Sequence, residues 1–138
     1  MAAIILSARG LTKHYDGLKA VENVDFDLKA GQIHALIGPN GAGKTTFVSL
    51  LSGRIPPSAG TITFDGEDIT QLPAHTRVAR GIAYTFQITS IYANLPVFDN
   101  VALAIQRKGT KHLHSDTMAA LARVGLETRA DQIAGTLA

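Results

Sequence analysis

The sequence predicts an α/β fold in which a glycine-rich loop joins a strand to a helix, with a helical portion after it. Three observations carry this reading. Gly38-Pro39-Asn40-Gly41-Ala42-Gly43-Lys44-Thr45, followed by Thr46, satisfies G-x-x-x-x-G-K-[ST]. The apolar run Ile33-His34-Ala35-Leu36-Ile37 before it reads as a buried strand, and Thr45 to Leu51 after it as the first turns of a helix. From about residue 96 onward only helical patterns remain.

The other elements follow in order. Residues 4–14 read as an edge strand, loosened at Gly10 and closed by a turn at Asp16-Gly17. Val21 to Leu28 alternates, with Val24, Phe26 and Leu28 on one face and Asp25 and Asp27 on the other, the period of a half-buried antiparallel strand. Ala30-Gly31 turns the chain into the run before the loop. The loop helix ends near Ser52-Gly53, and Pro56 to Gly60 is a connection. Thr61 to Phe64 is a short strand closed by Asp65-Gly66. Pro73 starts a short helix through Arg80 that Gly81 stops, and Ile82 to Phe86 is a strand ending at Gln87. Beyond residues 88–97, which have no clear period, Asp99 is a candidate cap for a helix reaching Ala104 to Lys108. Ser115 or Asp116 caps another through Val124, stopped by Gly125. The division is a β/α portion, residues 1–95, and a helical portion, residues 96–138.

The loop pattern has a chemical reason. Glycines at 38, 41 and 43 admit backbone conformations closed to other residues and let phosphates approach closely. The amides of the last loop residues then form an anion nest at a helix N-terminus. Lys44 is placed to reach the β- and γ-phosphates, and Thr45 to offer its hydroxyl to Mg²⁺, which keeps several waters and few protein ligands.

Composition bounds the rest. Lys and Arg number 13 against 11 Asp and Glu, too even a balance to argue for nucleic acid or an anionic membrane. With no cysteine there are no disulfides and no thiolate metal sites. The apolar start, Met1 to Leu6, lacks a basic flank and meets Arg9 too soon for a signal peptide. No run approaches the ~18 apolar residues of a membrane span, so a soluble chain is expected, reaching a membrane only through a partner. His112-Leu113-His114, without a third ligand nearby, reads as solvated surface, and His34 as a core or turn-proximal histidine. Asp65, Glu67 and Asp68 read as a hairpin tip.

Taken together, GPNGAGKTT, Tyr15 upstream, PSAGTITFDGEDIT and TFQ after a strand resemble the ATP-binding subunits of ABC transporters. Leu72-Pro73-Ala74-His75 leading to Gly81-Ile82-Ala83 and Thr85-Phe86-Gln87 looks most like the branched-chain amino acid importers. The resemblance runs over essentially the whole chain. It implies a P-loop NTPase fold of the ABC ATPase type, here incomplete, with an antiparallel β subdomain, a partial core sheet carrying the loop helix, and a partial helical subdomain. It implies ATP and Mg²⁺ as ligands, gripped by Gly38, Pro39, Asn40, Gly41, Ala42, Gly43, Lys44, Thr45 and Thr46. Tyr15 falls where an aromatic ring stacks on adenine, with a surface or core tyrosine in a turn as the alternative. Gln87 matches a glutamine that touches Mg²⁺ or the attacking water; without the resemblance it is a polar strand end. Lys44 and Gln87 are thus the candidate catalytic residues, and Thr45 and Gln87 the candidate metal contacts.

The same resemblance implies transmembrane permease subunits docking on residues around 88–100, where Ile88, Ile91, Tyr92, Leu95, Val97 and Phe98 are unusually apolar; packing beneath the helical portion is the alternative. It also implies a second ATP-binding subunit, no nucleic acid, no direct membrane insertion, and a cytoplasmic place on the inner face of the membrane. An LSGGQ-type signature, an Asp-Glu pair closing an apolar strand, and a switch histidine are absent; Ala134 to Ala138 resemble the lead-in and first two positions of the signature. The expectation is a nucleotide-binding stretch of an ATPase subunit that binds ATP–Mg²⁺ with negligible hydrolysis. Alternatives are a stand-alone nucleotide-binding module and a soluble ABC ATPase outside transport. Unpaired edges on the loop strand are expected to favour self-association or domain exchange.

Overall fold

The computed structural model describes residues 2–86 and 90–137. Packing divides the chain into two units, Met1–Tyr84 and Thr85–Ala138.

The first unit is built on an antiparallel sheet. Strands β1 (Ile4–Tyr15), β2 (Leu18–Lys29), β3 (Ala59–Phe64) and β4 (Glu67–Asp68) lie in the order β2-β1-β3-β4. β1 is therefore an inner strand and not the edge expected from sequence, because β3 returns after the loop helix to pair with its free side, Leu6 opposite Phe64 and Ala8 opposite Ile62. Asp16-Gly17 and Asp65-Gly66 both close hairpins. Their φ values, 41° and 91° in the first and 50° and 81° in the second, are the left-handed pair whose twist suits two-residue hairpins.

Helix α1 (Lys44–Ser52) covers this sheet. Phe47 and Leu50 enter the core formed by Leu6, Ala8, Leu11, Val21, Ile62 and Ile69. Each such side chain contributes roughly 1.5–3 kcal/mol on full burial. Phe26, on the apolar face of β2, meets the Phe47 ring edge-on with centroids 5.5 Å apart. The short helix α2 (Ala74–Ala79) follows Pro73 and carries the most deeply buried charge, Arg77. Its Nε donates to the Leu72 carbonyl at 2.9 Å, and Nη1 to the carbonyls of Leu50 and Leu51, each at 2.9 Å. Nη2 donates to the Thr70 carbonyl at 3.0 Å. Leu50 and Leu51 lie in the last turn of α1, whose carbonyls have no helical partner. Gly53 stops the helix with φ 80°, and a Cβ there would lie 2.7 Å from Arg77 Nε. No carboxylate pairs with Arg77 among the described residues, and burial draws its guanidinium below the usual pKa.

Two segments expected as strands are not strands. Residues 33–37 and 82–86 form no ladder among the described residues. Ile33 is 98% exposed and Ile37 94%. An apolar run becomes a strand only when a neighbour takes its amides and carbonyls, and no described segment forms a ladder with either run.

In the second unit, α3 (Val97–Gln106) and α4 (Leu113–Arg123) pack around Val97, Leu121, Ala130 and Ala134. The caps are Pro96 and His112, so Asp99 and Asp116 sit in the first turns, where a carboxylate favours the helix dipole, rather than at the caps expected for Asp99 and for Ser115 or Asp116. The unit begins earlier than the expected division after residue 95. The amides of Ala134 and Gly135 donate to the carbonyls of Leu95 and Ala93, at 2.9 and 2.8 Å. Asn100 closes the turn between, its Nδ2 donating to the carbonyls of Tyr92 and Pro96 at 3.0 Å each.

Arg77→Ala would take a donor from four carbonyls, of which that of Leu50 keeps the Gly53 amide at 3.2 Å. It is expected to lower stability by about 3–5 kcal/mol in denaturant titrations followed by circular dichroism. Arg77→Lys should restore only a minor part, because an ammonium lacks the guanidinium's five-donor fork.

Candidate nucleotide-binding site

The site is assembled where the loop meets β2. Gly43 caps α1 with φ 91°, and a Cβ built on it would lie 2.2 Å from the Ala20 carbonyl oxygen. Only glycine permits both the conformation and that approach. The first helical bond runs from the Phe47 amide to the Gly43 carbonyl at 2.8 Å. The amides of Lys44, Thr45 and Thr46 precede it and have no partner within the helix. No acidic residue occupies the first turn of α1, so the positive end of the helix is not neutralised. The Ala42 amide donates to the Pro39 carbonyl at 3.2 Å, closing the loop upon itself. The Lys44 ammonium folds back across the loop, donating to the Gly38 carbonyl and, at 3.3 Å, to that of Pro39.

Beside this loop lies a cavity of about 400 Å³. Asn40, Gly41, Gly43, Lys44, Thr45 and Thr46 form one wall, and Tyr15, Leu18, Lys19 and Ala20 of the β1–β2 hairpin form the other. Tyr15 pairs across the hairpin with Leu18 and is half-exposed. Lys19 pairs with Glu22 at 2.8 Å, and that hydrogen bond raises the ammonium's pKa and lowers the carboxyl's. A second cavity, about 360 Å³, shares Ala20, Gly43 and Lys44 but is otherwise lined by Ala42, Val21, Phe26, Leu36, Phe47 and the acids Glu22 and Asp25, among others. Its apolar floor and carboxylates suit phosphate poorly. The first cavity offers a cation, unpaired amides, hydroxyls and an aromatic ring along one wall or the other, the set a nucleoside triphosphate with its metal requires. The residues present fit that ligand.

The structure thus brings Tyr15 and the loop residues Asn40, Gly41, Gly43, Lys44, Thr45 and Thr46 to one cavity, while Ala42 lines the second cavity and Gly38 and Pro39 line neither, their carbonyls accepting from Lys44. Gln87 lies outside the described residues, as do Ile88 and Ala138. Of the apolar set near the expected docking surface, Val97 and Phe98 join the core of the second unit, and Ile91, Tyr92 and Leu95 are exposed. His34 is exposed, so it is not the core residue that was one of its two expected readings, and its ring meets Phe26 edge-on at 4.8 Å. His114 lies against the Phe98 ring at 5.2 Å, and no group of three metal-ligating side chains occurs among the described residues. Glu67 at the β3–β4 hairpin pairs with Arg80. Leu18, Lys19 and Ala20 were not foreseen at the site. The two-residue Asp16-Gly17 turn carried the signal, because it sets Leu18 directly opposite Tyr15.

The profile of the family described as "ABC transporter" matches residues 21–138. The lipopolysaccharide export system ATP-binding protein LptB of Escherichia coli K12 is 45% identical over 101 residues, covering 73% of this chain and 42% of that protein. A probable branched-chain amino acid transport ATP-binding protein, LivG of Archaeoglobus fulgidus, is 40% identical over 111 residues, covering 80% and 43%. A putative ribose/galactose/methyl galactoside import ATP-binding protein of Agrobacterium fabrum is 36% identical over 140 residues, covering 98% and 28%. The chain spans less than half the length of these relatives. A solved ATP-binding cassette of an ABC transporter superposes with TM-score 0.89 at 23% identity, covering 99% of this chain and 60% of that one, a likeness of fold. The chain belongs to the ABC transporter family of ATP-binding domains, with the corresponding P-loop NTPase fold.

Gly43 and Gly41 separate the two demands on the loop. Gly43→Ala drives a methyl into the Ala20 carbonyl and is expected to abolish nucleotide binding and cost about 2 kcal/mol or more of stability. Gly41→Ala, at φ 87° with open space around it, should cost about 1 kcal/mol of backbone strain alone. Thermal melts and calorimetric titration with ATP of both variants check this.

Proposed function

We propose that residues 1–138 are the nucleotide-gripping part of an ATP-binding subunit that powers an ABC membrane transporter. The observation that carries this is the cavity in which Tyr15 faces the unpaired amides and Lys44 of the glycine loop. The adenine lies on Tyr15, and the phosphate chain lies on the amides of Gly43 to Thr46. Lys44 exchanges its loop carbonyls for β- and γ-phosphate oxygens. Thr45 would offer its hydroxyl to Mg²⁺, which would supply charge neutralisation to the phosphates. Lys44 apart, these groups act on charge in a fixed direction, so the loop backbone orients the triphosphate without rearranging.

These 138 residues contain no Asp-Glu pair after an apolar run, and we expect them to bind ATP–Mg²⁺ without turning it over, since a water-orienting carboxylate is worth orders of magnitude in rate. The subunit acts on the cytoplasmic face of the membrane, pairing with a second ATP-binding subunit and docking a permease on the surface around residues 88–100. The exposure of Ile91, Tyr92 and Leu95 supports that surface. The transported solutes we favour are branched-chain amino acids, supported by the LivG-type relative and by the segment Leu72 to Gln87.

Calorimetry should give saturable, Mg²⁺-dependent ATP binding that Lys44→Ala weakens at least about tenfold, the loss of one charge-assisted contact pair. Phosphate release should stay at background. ATP binding indifferent to Lys44, or turnover abolished by its removal, would count against the respective halves of the proposal. Co-purification with a branched-chain amino acid permease tests the partner.

A further inference from the structure

We infer that Lys13 is a positioning residue for the nucleotide base, holding the Tyr15 ring from one face so that the other is presented to the ligand. The inference rests on the reading that Tyr15 stacks on adenine. The Lys13 ammonium lies 5.1 Å from the centroid of the Tyr15 ring, over its face. It is itself held in place, donating to the Pro56 carbonyl at 2.9 Å. That carbonyl belongs to the connection between α1 and β3, which is fastened to β1 by two more bonds. The Ser58 amide donates to the Thr12 carbonyl at 2.8 Å, and the His14 amide to Ser58 Oγ at 3.0 Å. No carboxylate pairs with Lys13 among the described residues, so its charge is directed at a carbonyl and a ring.

Tyr15 needs such support. It stands at the end of β1, 44% exposed, and its cross-strand neighbour Leu18 is itself 66% exposed. A ring so placed loses rotamer freedom when a base stacks on it, and that loss weakens binding. A cation on one face offers attraction to the ring quadrupole and fixes the plane before the ligand arrives. It also blocks that face, leaving the base the other. The effect is confined to the base: a ligand made only of phosphates touches the loop and gains nothing from an ordered Tyr15.

The test is calorimetric titration of the full chain with ATP and with inorganic tripolyphosphate, for Lys13→Met, Lys13→Arg, Tyr15→Ala and the Lys13→Met/Tyr15→Ala pair. Lys13→Met should weaken ATP about three- to tenfold and leave tripolyphosphate unchanged. Lys13→Arg, which keeps a cation over the ring, should retain wild-type ATP affinity. In the Tyr15→Ala background, Lys13→Met should have no further effect. The inference is overturned if Lys13→Met binds ATP as wild type does while Tyr15→Ala is weakened, or if it loses tripolyphosphate as much as ATP, the mark of a general structural role. If Tyr15→Ala binds ATP as wild type does, the stacking reading itself fails and takes the inference with it.

Discussion

The candidate site depends on how closely the glycine loop approaches strand β2. At Gly43 the backbone comes within a distance of the Ala20 carbonyl that no side chain would survive. That single contact fixes where α1 starts, and therefore where its unpaired amides face. It also puts the loop against the end of the hairpin that carries Tyr15. Two walls of one cavity are thus set by one steric constraint. Widening the approach by the thickness of a methyl group would shift the loop against the ring by a distance comparable to a hydrogen bond's whole tolerance.

The loop is anchored on its other side by the core. Phe47 and Leu50 are buried against the sheet within two turns of Lys44, so the helix that presents the amides is also the element on which the first unit's apolar packing depends. The hairpin and the α1–β3 connection close the same circuit, through Lys13, Thr12 and His14 on one side and Pro56 and Ser58 on the other. Stability and ligand geometry in this unit are consequently not independent quantities. A substitution that loosens the sheet reaches the site through these same contacts.

Local chemistry was legible in the sequence; partnership was not. The loop, the Asp-Gly hairpins and the stop at Gly53 are each written in a few consecutive residues whose required φ values the structure shows. The place of β1 inside the sheet depends on β3, which follows the loop helix, and nothing near residues 4–15 announces it. Residues 33–37 and 82–86 have the composition of strands, but composition cannot supply the neighbour that a ladder needs. Asp99 has the chemistry of a cap, yet Pro96 already turns the chain into the helix, so the carboxylate serves in the first turn. At the site, the loop residues and Tyr15 were foreseen, while Leu18 and Ala20 carry no chemistry to notice and enter by register alone. Arg77 is the clearest omission. A lone arginine in a short helix reads as surface, and only the fold reveals that its neighbours are the last carbonyls of another helix.

The burial of Arg77 also bears on charge along the α1 axis. The helix has nine residues, a length of about 13 Å at 1.5 Å per residue. Its dipole is negative at the end where the guanidinium sits and positive where the loop opens. Arg77 thus satisfies one pole, while the other pole remains available to an anion. A guanidinium does not discharge at any physiological pH, and a buried one is poorly screened by salt. Over a helix of that length, at an effective dielectric of about 20, two unit charges still interact by about 1 kcal/mol. The residue that ties the end of α1 to residues 70–72 is therefore also a fixed, remote contributor to the positive potential at the loop.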